Sequence, residues 1–114
     1  MKNIWIVGIG IVIIVFGYLF YLWINIPGAY DDFAKCLTNN GAVMYGTDWC
    51  HVCKDQKALF GKSFDYVNYK NCDASKSECD AAGVSGYPTW RINGTNYVGL
   101  QSLEKLASLT DCSL

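Results

Sequence analysis

The chain has 114 residues, nine of them basic and ten acidic, with one histidine and a formal net charge of −1. Charges of both signs are mixed along it, so it lacks the basic stripe of a nucleic-acid-binding protein. A chain this short holds one small domain and one additional element.

The first element is apolar. Between Lys2 and Asp31 there is no charge, and Ile4 to Ile26 reads IWIVGIGIVIIVFGYLFYLWINI. As a helix rising about 1.5 Å per residue, this run reaches roughly 34 Å, enough to cross a hydrocarbon layer ~30 Å thick. Trp5 at one end and Tyr18, Tyr21 and Trp23 toward the other suit aromatic belts at the two interfaces. A cleaved signal peptide is the competing reading, but its apolar region spans only about 7–15 residues before a small-x-small site. The best such site here, after Ala29, would place Pro27 at its third position back. Length therefore favours a retained single-pass anchor over 1–26, a short Pro-Gly linker over 27–30 and a domain over 31–114. Lys2 and the amino terminus precede the run, so the positive-inside rule leaves that end in the cytoplasm and puts the domain on the outer, periplasmic or extracellular face. All six cysteines, Cys36, Cys50, Cys53, Cys72, Cys79 and Cys112, follow the anchor. An even number in so small a domain independently suits an oxidising compartment.

Beyond the linker, Tyr30 to Asn39 is expected as a helix, with Asp31 or Asp32 capping its start and Asn39-Asn40-Gly41 ending it. Ala42 to Tyr45 reads as a strand. A helix is expected from Cys50 to about Phe60, closed by Gly61. Asp65 to Tyr69 (DYVNY) alternates and carries aromatic and branched residues, a strand pattern. Ser75 to Ala82 is a short helix stopped by Gly83. Pro88 to Ile92 and Thr95 to Val98 form a hairpin about the Asn93-Gly94 turn, and Ser102 to Leu109 closes the chain as a helix with Leu103, Leu106 and Leu109 on one face. The Asn93-Gly94-Thr95 triplet also matches a glycosylation sequon, although the turn already accounts for its first two residues. The order α-β-α-β-α-β-β-α, with a Cys-x-x-Cys at a strand-to-helix turn, points to an α/β thioredoxin-like fold. Its central mixed sheet is flanked by helices, and the leading strand is absent.

Cys50 and Cys53 carry the chemistry. At the start of a helix, free backbone N–H groups and the helix dipole favour an anion, so Cys50 is placed as the nucleophilic thiolate. Cys53, one turn on, would resolve the mixed disulfide. Zinc also takes two cysteines at this spacing, with Cys72 and Cys79 as further ligands, but the six residues between those two are more than a second zinc clip usually has. The expectation is no bound metal. His51, inside the pair, would as a cation favour the Cys50 thiolate and make the disulfide more oxidising; otherwise it is an exposed residue at a helix start.

Trp49-Cys50-x-x-Cys53, followed by Gly86-Tyr87-Pro88-Thr89, resembles the active-site frame of thioredoxin-family proteins. The resemblance implies that Pro88 is cis and faces the cysteines, and that Tyr87 and Pro88 leave backbone free to pair with an extended substrate. An ordinary proline at a strand start is the alternative. A narrower likeness covers most of Gly41 to Ala107. MYGTDWCHVCKDQKALFG, YVNYKNC and GYPTWRINGTNYVGLQSLEKLA resemble the thioredoxin-like domain fused to bacterial vitamin K epoxide reductase homologues. In those fusions a final membrane helix leads into the redox domain. The likeness implies a free-standing redox partner, working with a separate quinone-reducing bundle. Two departures stand out. Those relatives carry Pro-His between the cysteines where this chain has His51-Val52, so the tuning by Trp49, His51 and Val52 is this chain's own. Many thioredoxins also keep a buried carboxylate where Met44 stands, so a proton from Cys53 must leave through water, Asp48 or another group.

The fused relatives have an extra cysteine pair resembling Cys72 and Cys79, which implies that bridge, structural or serving as an electron relay. Cys36 and Cys112 are then left to pair, a long loop closure worth roughly 4 kcal/mol in the chain-entropy model. Six cysteines allow fifteen connectivities, and the sequence alone leaves them open. The expected function is oxidation of client thiols by Cys50–Cys53 on the outer face of the membrane. Reoxidation would come from a quinone-linked, vitamin K epoxide reductase-type membrane partner that holds the only cofactor. A membrane-tethered reductase or isomerase is one alternative; a zinc-bound or redox-silent interaction module is another.

Overall fold

A computed structural model describes residues 1–114. Helix α1 (Lys2–Ile24) is apolar throughout, buries none of its residues, and is long and apolar enough to cross a membrane. It projects from the rest of the chain, which gives the molecule its 72 Å long axis. The remainder follows the order α2 (Asp31–Asn39), β1 (Val43–Gly46), α3 (His51–Phe60), a 3-10 turn (Gly61–Tyr66), β2 (Tyr69–Asn71), α4 (Lys76–Ala81), β3 (Thr89–Ile92), β4 (Thr95–Val98) and α5 (Leu103–Thr110).

The four strands make one mixed sheet in the order β2-β1-β3-β4. β1 runs parallel to β2, with Met44 opposite Tyr69, and antiparallel to β3, with Met44 opposite Trp90. A crossover is needed between parallel strands, and α3 supplies it. The β3–β4 hairpin turns at Asn93 (φ 51°) and Gly94 (φ 78°), the pair of positive φ values that a two-residue turn of this kind demands. This is the α/β thioredoxin-like arrangement, with a four-stranded sheet.

Alternation along the strands sends successive side chains to opposite faces. On one face Met44, Trp90 and Ile92 pack with Phe33, Ala34 and Leu37 of α2, Cys53 and Phe60 of α3, and Leu103 and Leu106 of α5. On the other, Tyr45 meets Cys72 and Cys79 at α4. The first face buries one full amide. The Gln56 Nε2 donates to the Gln101 carbonyl at 3.0 Å, while its Oε1 accepts from Trp90 Nε1 at 3.1 Å and the Gln101 N–H at 2.8 Å. A buried amide left unpaired would cost about 1–3 kcal/mol, so the three bonds turn a liability into a clamp joining α3, β3 and the loop before α5.

Two expectations need correction. DYVNY is not a strand: Gly61–Tyr66 continues from α3 as a 3-10 turn, and only Tyr69 of that stretch enters β2. Packing against α2 decides this. The buried Ser63 Oγ accepts the Tyr30 N–H at 2.9 Å and donates to Asp31 Oδ1 at 2.8 Å, and the Thr38 hydroxyl donates to the Tyr66 carbonyl at 2.6 Å. Neither Asp31 nor Asp32 caps α2, whose N-cap is Tyr30. The Asp31 carboxylate instead accepts from Ser63 and, at 3.0 Å, from the Gly28 N–H. With Lys62 Nζ donating to the Ile26 carbonyl at 2.8 Å, these contacts hold the segment after α1 onto the domain.

Candidate active site

The β1-to-α3 turn builds the site. Cys50 is the N-cap of α3, with extended backbone, and its Sγ accepts the Cys53 N–H at 3.2 Å. That bond uses the sulfur to satisfy a backbone donor that the helix itself leaves unpaired. Cys50 is partly exposed, whereas Cys53 is fully buried, and neither is bonded to another cysteine. The other four form two disulfides, Cys36–Cys112 and Cys72–Cys79. The first joins α2 to the chain end behind α5, and the second spans the loop from β2 to α4.

Burial, and then the neighbouring Cys50 thiol, push the Cys53 thiol up to about 11, against the Thr47 backbone N–H and the Lys57 cation, which pull it down. Cys53 thus stays protonated through the neutral range, so the pair consists of one exposed thiol and one interior thiol that needs help to ionise. Gly46, the last residue of β1, lies against this interior sulfur. A Cβ there would stand 2.8 Å from Cys53 Sγ and 3.4 Å from the Tyr69 ring, so glycine is required for the close approach of strand and thiol.

Exposed aromatic surface surrounds Cys50. The Trp49 indole is two-thirds exposed and meets the Tyr87 ring edge-on at 6.1 Å. Its Nε1 donates to Asp73 Oδ2 at 2.8 Å, which ties it to the loop carrying Cys72. Val52 and Tyr87 are also exposed, and the Tyr87–Pro88 peptide bond is cis. Trp49, Cys50, Val52 and Tyr87 therefore offer a nucleophile beside an apolar patch open to solvent. His51 points elsewhere: its ring is almost wholly exposed, with Nε2 3.7 Å from Asp55 Oδ2 one turn along α3. Asn93 stands at the hairpin tip.

Three contributors escaped the linear reading. Lys57 lies one turn beyond Cys53, a spacing that puts both on one helix face, and the spacing alone could have found it. Tyr69 comes from β2 and Gly46 from β1, and only the folded sheet brings them to the cysteines. Asp48 joins these side chains, accepting from Lys57 Nζ at 3.3 Å, the Tyr69 hydroxyl at 3.2 Å and Asn71 Nδ2 at 3.0 Å. The Tyr69 hydroxyl is held well above the usual phenol range by burial, then by the Asp48 charge and hydrogen bond, with the two cysteines adding to it.

No family model matches the chain. The chain is similar to a plant thiol-disulfide oxidoreductase. It is 39% identical over 90 residues to "Thiol-disulfide oxidoreductase LTO1" of Arabidopsis thaliana, an alignment covering 71% of this chain and 24% of that protein. The chain therefore spans about a quarter of the relative's length. Among solved structures, the oxidised thioredoxin of Plasmodium falciparum aligns with a TM-score of 0.44 and 18% identity, covering 69% of this chain and 86% of that one.

Proposed function

We propose that this chain is a membrane-anchored thiol-disulfide oxidoreductase that donates disulfides to client proteins on the outer face of the membrane. The observation that carries this reading is the asymmetry of the pair, with Cys50 accessible at a helix N-terminus and Cys53 sealed behind it. Likeness to a thiol-disulfide oxidoreductase supports the same chemistry. A zinc site would need its sulfurs as thiolates, and Cys72 and Cys79 are bonded to each other instead.

In the forward reaction a client thiolate attacks Cys50 Sγ of the oxidised pair. The Cys50–Cys53 bond breaks, and its electron pair leaves on Cys53, which takes up a proton. A second client thiolate then attacks the client sulfur of the mixed disulfide and expels the Cys50 thiolate. The client has lost two electrons and the pair has gained them. Trp49, Val52 and Tyr87 give the client an apolar landing beside Cys50, and the backbone next to Pro88 is the expected pairing edge. His51 and Val52, between the cysteines, set the potential of the pair together with Trp49.

The reduced pair passes its two electrons to a quinone-linked membrane protein of the vitamin K epoxide reductase type, and the quinone stays with that partner. Helix α1 supplies the anchor, amino end in the cytoplasm. Holding the domain at the membrane surface raises its effective concentration near such a partner without new contacts. The Cys36–Cys112 and Cys72–Cys79 bridges are structural in this account.

The test uses the oxidised full chain in detergent micelles, mixed with a reduced client that has two cysteines. One client disulfide is expected per chain, with a loss of the Cys50–Cys53 bond to match, and none from a Cys50→Ser variant. A client that stays reduced while the pair stays oxidised would contradict the proposal.

A further inference from the structure

Cys53 must ionise each time the Cys50–Cys53 bond forms, and must leave as a thiolate each time it breaks. Its surroundings oppose both. Met44 beneath it is fully buried and apolar, and the core continues beyond. The charged and titratable groups acting on Cys53 are few: Cys50 from the turn, Lys57 from its own helix and Tyr69 from β2, with Asp48 reaching them by accepting from Lys57 and Tyr69. On the adjoining β3, Arg91 turns to the opposite face of the sheet, where it bonds the Ala82 carbonyl and Asn96. His51 faces Asp55 in solvent.

Lys57 is the one cation in this set, and it is held in place. Its ammonium sits 4.1 Å from the centre of the Tyr69 ring and 5.5 Å from that of Phe64, and donates to Asp48. The side chain is only 28% exposed, against 71% for Asp48. A lysine tethered this way has lost the freedom to swing into water, and a cation over aromatic faces gains attraction from the rings. Tyr69 and the Cys53 sulfur lie against the same side of Gly46, so the ring that seats the ammonium also borders the thiol.

We propose that Asp48, Lys57 and Tyr69 form a positioning cluster that fixes the Lys57 ammonium beside Cys53, stabilising its thiolate whenever the Cys50–Cys53 bond forms or breaks. The inference rests on the thiol-disulfide reading and adds how the interior cysteine is activated where β1 offers only Met44. Asp48 and Tyr69 act through Lys57. When Cys53 attacks the mixed disulfide at Cys50, the new Cys50–Cys53 bond takes the Cys53 electron pair, the partner sulfur departs with the old bond's pair, and the Cys53 proton passes to water at the exposed Asp48 edge.

The test separates the two cysteines. The reduced full chain in micelles is mixed with the aromatic disulfide bis(thionitrobenzoate). The first coloured thionitrobenzoate anion reports attack by Cys50, and the second reports attack by Cys53 on the adduct. Exchange rate follows the thiolate fraction, so Lys57→Met is expected to slow the second release about tenfold at neutral pH and to displace its pH profile upward. The first release should stay within about twofold of the unmodified chain, because the cluster serves the other sulfur. Lys57→Arg should restore the profile. Asp48→Asn alters an exposed side chain outside the core, and is expected to slow the second release about threefold through a loosened lysine. If Lys57→Met and Asp48→Asn both leave the second release on the unmodified profile, the cluster has no such role. An unmodified chain that gives a first release and never a second would instead overturn the thiol-disulfide reading itself.

Discussion

Replacing Cys53 with serine is expected to leave the chain covalently joined to its clients. Cys50 is accessible at the N-terminus of α3 and can still exchange with a client disulfide or with oxidised glutathione, while the buried group that would displace the partner is gone. Adducts should accumulate and collapse on reduction. Cys50→Ser should form none, because the remaining thiol is fully buried and stays protonated in the neutral range. Residues that act as one catalytic unit lose nearly all activity when either is removed, so turnover should fall by about a thousandfold or more in both variants. Non-reducing electrophoresis with mass mapping of the adduct checks the difference between them. Equal trapping by the two variants would mean that the assignment of attacking and resolving thiols is wrong.

The second large effect lies at Gly46→Ala. This is an exchange of one methyl group in a strand, ordinarily a modest change. Here the added carbon would meet the Cys53 sulfur at 2.8 Å and the Tyr69 ring at 3.4 Å. Because α3 is pinned by Gln56 and the strand by its neighbours on both sides, neither can retreat cheaply. Overpacking of this kind costs about 1–3 kcal/mol, which in a domain of this size lowers the melting temperature by roughly 5–20 °C. Client oxidation should also slow, since the sulfur that must be displaced is the one at the reacting bond. Gly86→Ala is the control: its Cβ would meet only Val98 Cγ1, at 3.1 Å, the tip of a side chain on an exposed strand. Thermal melts of the two variants give the comparison, and a Gly46→Ala chain that melts with the unmodified one would remove the close-approach argument.

Much of this arrangement is written locally. Asn93-Gly94 dictates a hairpin because both residues tolerate positive φ, and Gly61 stops α3 for the same reason. Ser102 caps α5 by accepting the Lys105 N–H at 3.1 Å, as a serine before an apolar-periodic stretch leads one to expect. The cysteine pair is legible because its spacing and the helix that follows are both local features. What failed was decided at a distance. DYVNY has a strand's alternation, yet Tyr30, Asp31 and Thr38 from the neighbouring helix side claim the polar groups of Ser63 and Tyr66 and keep Gly61–Tyr66 wound. Asp31 has a cap's chemistry, but Gly28 and Ser63 offer it donors in the folded chain. The cluster at Cys53 shows the same divide: Lys57 follows from helical spacing, whereas its pairing with Tyr69 depends on which residue of β2 faces α3, and the misread strand gave no register for that.

The central claim is that Cys50–Cys53 gives disulfides away, and its reduction potential decides this most directly. The full chain in micelles would be equilibrated in glutathione buffers of graded composition and its free thiols tagged with a maleimide polymer. Two tags report the Cys50–Cys53 pair and further tags the structural bridges. A donor of disulfides should show the two-tag transition at about −120 to −180 mV, with the bridges resisting reduction throughout. A midpoint near about −270 mV would make the pair a reductant and reverse the proposed direction of electron flow.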